Sequence, residues 1–217
     1  MRLVTLPGVF RPTSDCWLLA DVMRSTDMAQ GARVLDVFTG SGALAIAASQ
    51  AGARAVTAID ISRRAVLTAR INARLNRARV RVLRGDLLTP VAGERFDLIV
   101  ANPPYVPGDA DGPDRGGRSR AWEGGTDGRA LLDHLCAAAP GHLEAGGALL
   151  VVQSSLTGEH ATLERLTAAG FAPAVLVRRR GPLGPIIRAR AGKLEQRGLL
   201  RPGEREEDLI VLRASFG

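Results

Sequence analysis

Three features of this sequence predict an α/β fold in which helices pack on a mostly parallel, seven-stranded sheet. Short apolar runs recur at residues 32–38, 55–60, 80–86, 96–102, 146–153, 173–179 and 207–214. Stretches of helical composition separate the first four, the alternation that βαβ units impose. The first run also ends in a glycine-rich turn, Thr39-Gly40-Ser41-Gly42, that opens directly into a helical stretch.

Taken in order, residues 1–30 read as an N-terminal arm and helix attached to a catalytic core at 31–217, within one domain. After the first strand, residues 42–52 form a helix ended by Gly52, the residue a helix uses to turn left-handed at its C-terminus. Residues 62–76 form a second, opened by Ser62 as N-cap and rich in Ala, Leu and Arg. The fourth strand runs into Asn102-Pro103-Pro104-Tyr105, and two prolines stop it because neither has an N–H for the ladder. Residues 111–128 are dense in glycine and charge and read as a long loop, carrying Trp122 and Glu123 as an aromatic and acidic pair beside that turn. Residues 127–143 and 154–170 are further helices. A basic insert broken by Gly and Pro then precedes the terminal strand, which suits an antiparallel β-hairpin at the sheet edge, with the insert as a solvated hairpin face.

Composition sets outer limits. At 46% apolar and 24% charged, the 217 residues are ordinary for a globular chain. The net charge of +7 is carried by arginine, with Lys193 the single lysine, so it fits codon usage as well as a polyanionic partner such as RNA at the insert. Cys16 and Cys136 have no CxxC partner and read as packed thiols. His134, His142 and His160 have no metal-ligand spacing, so no metal is expected. No run approaches the roughly 18 apolar residues of a membrane span, and a cytoplasmic protein without membrane contact is expected.

The chemistry concentrates at strand ends. The first strand delivers Asp36 and then Thr39, Gly40 and Gly42, where backbone N–H groups and a helix N-terminus converge. The pattern is neither a GxGxxG fingerprint nor a Walker loop, since Leu44 and Ala45 follow and no Gly-Lys-Ser/Thr does. The second strand ends at Asp60, placed to accept from both hydroxyls of a ribose, and the third at Asp86. Three carboxylates at successive strand tips suit a cationic nucleoside such as S-adenosylmethionine better than a pyrophosphate. At the fourth tip, the Asn102 side-chain oxygen and the Pro103 carbonyl can each accept one N–H of a substrate –NH₂ group. Such a nitrogen is a weak nucleophile, and orienting it is the available device. Tyr105 offers a ring face for a planar group.

The stretches DVFTGSG, AIDIS, GDLL and above all NPPY resemble those of HemK-type class I S-adenosylmethionine-dependent methyltransferases. These protein-(glutamine-N5) methyltransferases modify the Gly-Gly-Gln loop of peptide chain release factors. The resemblance runs over most of the chain and implies a Rossmann-like methyltransferase fold, with Asn102, Pro103, Pro104 and Tyr105 as catalytic residues. FRPTSDCWLLAD resembles the family's N-terminal arm, so Pro12, Thr13 and Asp15 are implied to cover the cofactor. Asp36, Thr39, Gly40, Gly42, Asp60, Ile61, Asp86, Leu87 and Asn102 complete the implied cofactor contacts. RAWEGGTDGRALLDHL resembles the short branch without a separate helical N-terminal domain, some members of which work with a small zinc-binding activator subunit.

Two departures stand out: Phe38 occupies the place of the family's first turn glycine, and the insert within 178–205 is longer than a simple hairpin. NPPY also serves N6-adenine methyltransferases acting on RNA or DNA. Both that activity and a non-catalytic nucleoside-binding module needing a partner subunit are alternatives.

Overall fold

The computed structural model describes residues 1–108 and 124–217. Its sheet consists of β1 (Arg33–Val37), β2 (Ala55–Asp60), β3 (Val80–Arg84), β4 (Phe96–Ala101), β5 (Leu143–Ser154), β6 (Phe171–Pro182) and β7 (Glu206–Phe216). These form one sheet in the order β3-β2-β1-β4-β5-β7-β6, with β1 to β5 parallel and β7 antiparallel to both of its neighbours. The expected seven-stranded, Rossmann-like methyltransferase fold with an antiparallel C-terminal edge is therefore present. Beyond Arg33 at its start, β1 is buried and apolar on both faces apart from Asp36, as a strand covered on both sides must be.

Helices α1 (Ser14–Ser25), α2 (Ala43–Gln50) and α3 (Arg63–Leu75) cover one face of the sheet. The other face is covered by α4 (Ala130–Ala138) and α5 (Glu159–Ala168). The Ser62 side chain accepts from the Ala65 N–H to start α3, and α2 ends against Gly52 at φ +87°. Asn72 on α3 and Asn76 just past its end lie one turn apart and bind the backbone of the N-terminal arm. Asn72 both donates to and accepts from Val4, and Asn76 does the same with Arg2. Asn72 also donates to the Ser41 carbonyl, which ties the arm to the glycine turn.

The insert departs from the hairpin expectation. β6 and β7 do pair, from Phe171↔Phe216 to Pro182↔Glu206, but a helix, α6 (Pro185–Gln196), joins them. Pro185 in the first turn has no N–H to leave unpaired, so it starts the helix instead of breaking it. Ile187, Ala191 and Leu194, spaced four and three apart, then make one buried face. With Val106, Leu183 and Leu200 they form a third apolar cluster, separate from the two that flank the sheet.

The sheet order places the site. β1 sits between β2 and β4, so the chain's direction of travel across the sheet reverses at β1 and β4. A crevice opens there at the carboxyl ends of the strands, where open α/β sheets bind ligands. The turn after β1 forms one lip and the Asn-Pro-Pro-Tyr turn after β4 the other. Among the described residues no helix is long and apolar enough to cross a membrane.

Candidate active site

A cavity of about 510 Å³ fills this crevice. Of the residues singled out from sequence, Pro12, Thr39, Gly40, Asp60, Ile61, Asp86, Leu87, Asn102 and Pro104 line it. A second, smaller cavity of about 50 Å³ adjoins it, lined by Asp15, Pro103, Tyr105 and Val106. Phe10, Asn102 and Pro104 line both. Thr13, Asp36 and Gly42 line neither.

The carboxylates therefore differ in what they do locally. Asp36 is fully buried; its Oδ2 accepts from the Thr39 hydroxyl and the Ala45 N–H, so it staples the turn to the start of α2, and its Oδ1 has no partner. Burial raises its pKa from 3.8 to about 7, against the lowering effect of those two hydrogen bonds. Asp60 accepts from the Gly40 N–H at 2.9 Å and from the Ser62 N–H at 2.8 Å, spanning from the glycine turn to the cap of α3. Burial raises its pKa as well, opposed by these N–H groups. Asp86 is exposed at the rim.

Two cavity-lining residues carry backbone strain. Phe38 at φ +62° and Leu87 at φ +47° are both left-handed, a region that disfavours side chains. Phe38, in the place of the usual glycine, thus keeps a conformation that glycine adopts freely, and its ring packs against the cluster beneath α4 and α5. Gly42 holds the turn close to α3, since a Cβ there would sit 3.1 Å from Ala69 Cα.

On the opposite lip, Asp15 is 2% exposed and gathers four donors. The Asn102 amide donates to its Oδ2 at 3.1 Å and the Tyr105 hydroxyl at 2.9 Å. The Cys16 N–H, at 2.7 Å, and the Thr13 hydroxyl donate to its Oδ1. Burial, and then the Asp15 charge, hold the Tyr105 hydroxyl well above its usual pKa. Asn102 Oδ1 is left buried with no hydrogen-bond partner.

Behind this lip, α6 supplies Arg190, which donates to the Pro107 carbonyl, and Arg197 just beyond its end donates to those of Gly108 and Thr126. Sequence reasoning assigned Asp15 to the cofactor and did not see its bonds to Asn102 and Tyr105, 87 and 90 residues away. It also missed Asn72, whose only signal was a second asparagine one turn on. Trp122 and Glu123 lie outside the described residues.

The residues fit S-adenosylmethionine. The larger cavity presents the Asp60 and Asp86 carboxylates to a cationic nucleoside, apolar groups such as Ile61 and Leu87 to a base, and a glycine-rich backbone to the remainder.

Residues 1–115 match the methyltransferase small domain family. A Methanocaldococcus jannaschii protein described as a protein N5-glutamine methyltransferase is 33% identical over 194 residues, covering 89% of this chain and 96% of its own. The release factor glutamine methyltransferase of Geobacter sulfurreducens is 35% identical over 70% of this chain, which spans only 55% of that protein. In fold, the E. cuniculi Mtq2–Trm112 complex, responsible for methylation of the eRF1 termination factor, matches with a TM-score of 0.66 at 22% identity, over 97% of this chain and 99% of that one. The carboxylate-rimmed crevice, the strand order and these likenesses agree: the chain belongs to the methyltransferase small domain family and is an S-adenosylmethionine-dependent methyltransferase.

Proposed function

We propose that the protein methylates the side-chain amide nitrogen of a glutamine in another protein, the glutamine of the Gly-Gly-Gln loop of a peptide chain release factor. The observation that carries this reading is the buried, unpartnered Oδ1 of Asn102, a residue that lines both cavities. A buried acceptor without a donor costs about 1–3 kcal/mol, which a substrate N–H would recover. The smaller cavity, about 50 Å³ and walled by Pro103 and Tyr105, has room for the end of a carboxamide arm. The similarity to the archaeal and Geobacter proteins supports the same acceptor class.

In this reading Asp60 and Asp86 bind the cofactor, with the Gly40 turn beneath it. When bound, S-adenosylmethionine supplies an electrophilic methyl group on a sulfonium, which departs as the neutral thioether. Asn102 Oδ1 and the Pro103 carbonyl accept the two N–H bonds of the substrate amide and aim its nitrogen at that methyl. Transfer would form the N–C bond as the methyl leaves the sulfur, and the proton shed by the nitrogen would pass to water. The Tyr105 ring walls the smaller cavity beside the amide plane. From the family resemblance, the proposal includes a small zinc-binding activator subunit.

The test is transfer of label from S-adenosylmethionine to a release factor or to total RNA, with and without the activator. Label confined to protein, and lost when the acceptor glutamine is replaced, is expected; label in RNA would instead establish the adenine reading. Asn102→Ala should lower turnover a hundredfold or more and leave cofactor affinity within about tenfold, as expected for loss of one orienting polar group. Unchanged turnover would remove Asn102 from the chemistry.

A further inference from the structure

We infer that Asp15 is a positioning residue for the acceptor rather than a cofactor ligand: its carboxylate fixes which end of the Asn102 amide faces the substrate. The inference rests on the acceptor reading above and extends it to a residue of the N-terminal arm.

An asparagine amide has two ends of nearly equal shape, and only the oxygen end can hold a substrate –NH₂. Left alone, Asn102 could present either. Asp15 removes the choice, because an ionised carboxylate accepts and never donates, so only Nδ2 can face its Oδ2. Oδ1 is thereby left on the side away from Asp15, and it is the buried atom that lacks a partner. The carboxylate is itself held in place. The Cys16 N–H and the Thr13 hydroxyl bind its other oxygen, and the Tyr105 hydroxyl donates to the same oxygen as Asn102, adding a second fixed donor. Asp15 lines the smaller cavity and not the larger, whereas Phe10, Pro12 and Cys16, on either side of it in sequence, line the larger. The arm and the start of α1 therefore serve both cavities, with Asp15 on the acceptor side.

Asp15→Asn tests this with little change of shape. The Cys16 N–H requires an oxygen where Oδ1 now stands, so the introduced –NH₂ must take the place of Oδ2 and face Asn102. Asn102 then reverses its amide to accept from it, and a donor is presented to a donor. The expected result is a loss of turnover of about a hundredfold at saturating acceptor, with cofactor affinity within about threefold. In the Asn102→Ala background the same substitution should cost less than about threefold, since the two residues act as one unit. An equal loss in both backgrounds, or a comparable loss of cofactor affinity, would overturn the inference in favour of a general structural role.

If Asn102→Ala is inactive while Asp15→Asn keeps full turnover, this inference fails and the acceptor reading stands. If Asn102→Ala itself keeps turnover, the acceptor reading fails first. A measurement on the unsubstituted protein does not depend on the variant folding: the Asn102 side-chain –NH₂ signals, assigned by their absence in Asn102→Ala, should exchange with solvent at least tenfold more slowly than those of exposed asparagines. Exchange at the exposed rate would overturn the inference.

Discussion

Phe38 shows how a residue can depart from a pattern without changing the backbone the pattern requires. Its φ of +62° is what a glycine at this place would adopt without cost, and the ring packed against the apolar cluster offsets the strain. A pair of substitutions separates the two contributions. Phe38→Ala loses the ring and keeps a Cβ in the left-handed region, whereas Phe38→Gly loses the ring and relieves the strain. The glycine variant should therefore be the more stable by about 1 kcal/mol, the reverse of the usual order for these residues, as read from urea midpoints. Equal stability would mean that the turn relaxes once the ring is gone. The departure itself was visible in the sequence, but its conformational meaning was not, because nothing in the residue type reports φ. The same holds for Asp15 and Asn102: each was singled out, but their pairing across 87 residues leaves no mark in a single sequence.

At the level of elements, period and punctuation located the strands, and Ser62 and Gly52 marked helix ends where the structure has them. α6 hides in the insert because its Gly and Pro residues suit a loop as well as a helix, although Gly184-Pro185 stands where a helix begins and Ile187, Ala191 and Leu194 follow at helical spacing. This helix has an apolar cluster of its own, and Leu194 is 1% exposed within it. Leu194→Ala should destabilise by roughly 2–5 kcal/mol, the range for emptying a buried leucine site. Because Val106 lies in the same cluster and Arg190 and Arg197 hold the carbonyls beyond it, hydrogen exchange should rise first in α6 and around residues 106–108. Exchange rising uniformly over the sheet instead would show that α6 is not a separate unit.

For the molecule as a whole, the buried tip of β1 makes stability depend on pH. The folded state retains a proton on Asp36 up to about pH 7, whereas the unfolded chain releases it near 3.8. Between those values the native state binds more protons than the unfolded one, so this group lowers stability as pH rises across the window and adds no further slope above it. Asp36→Asn removes the titration. Over about pH 4 to 7, the stability of the unsubstituted protein should fall more steeply than that of the variant in urea unfolding, and parallel curves would refute the assignment. Cofactor affinity should change in the opposite direction, tightening as pH rises through about 7, because a cation in the crevice favours the ionised form.

β7 hydrogen-bonds to β5 on one side and β6 on the other, so these two strands never touch although they are neighbours in sequence. During synthesis β5, which is twelve residues long and largely apolar, must wait for residues 206–216 before its free edge is covered. At roughly 5–20 residues per second that interval lasts on the order of several seconds. Through it the nascent chain carries an open, sticky edge that β7 later closes, and this is the stage at which chaperones would have most to protect.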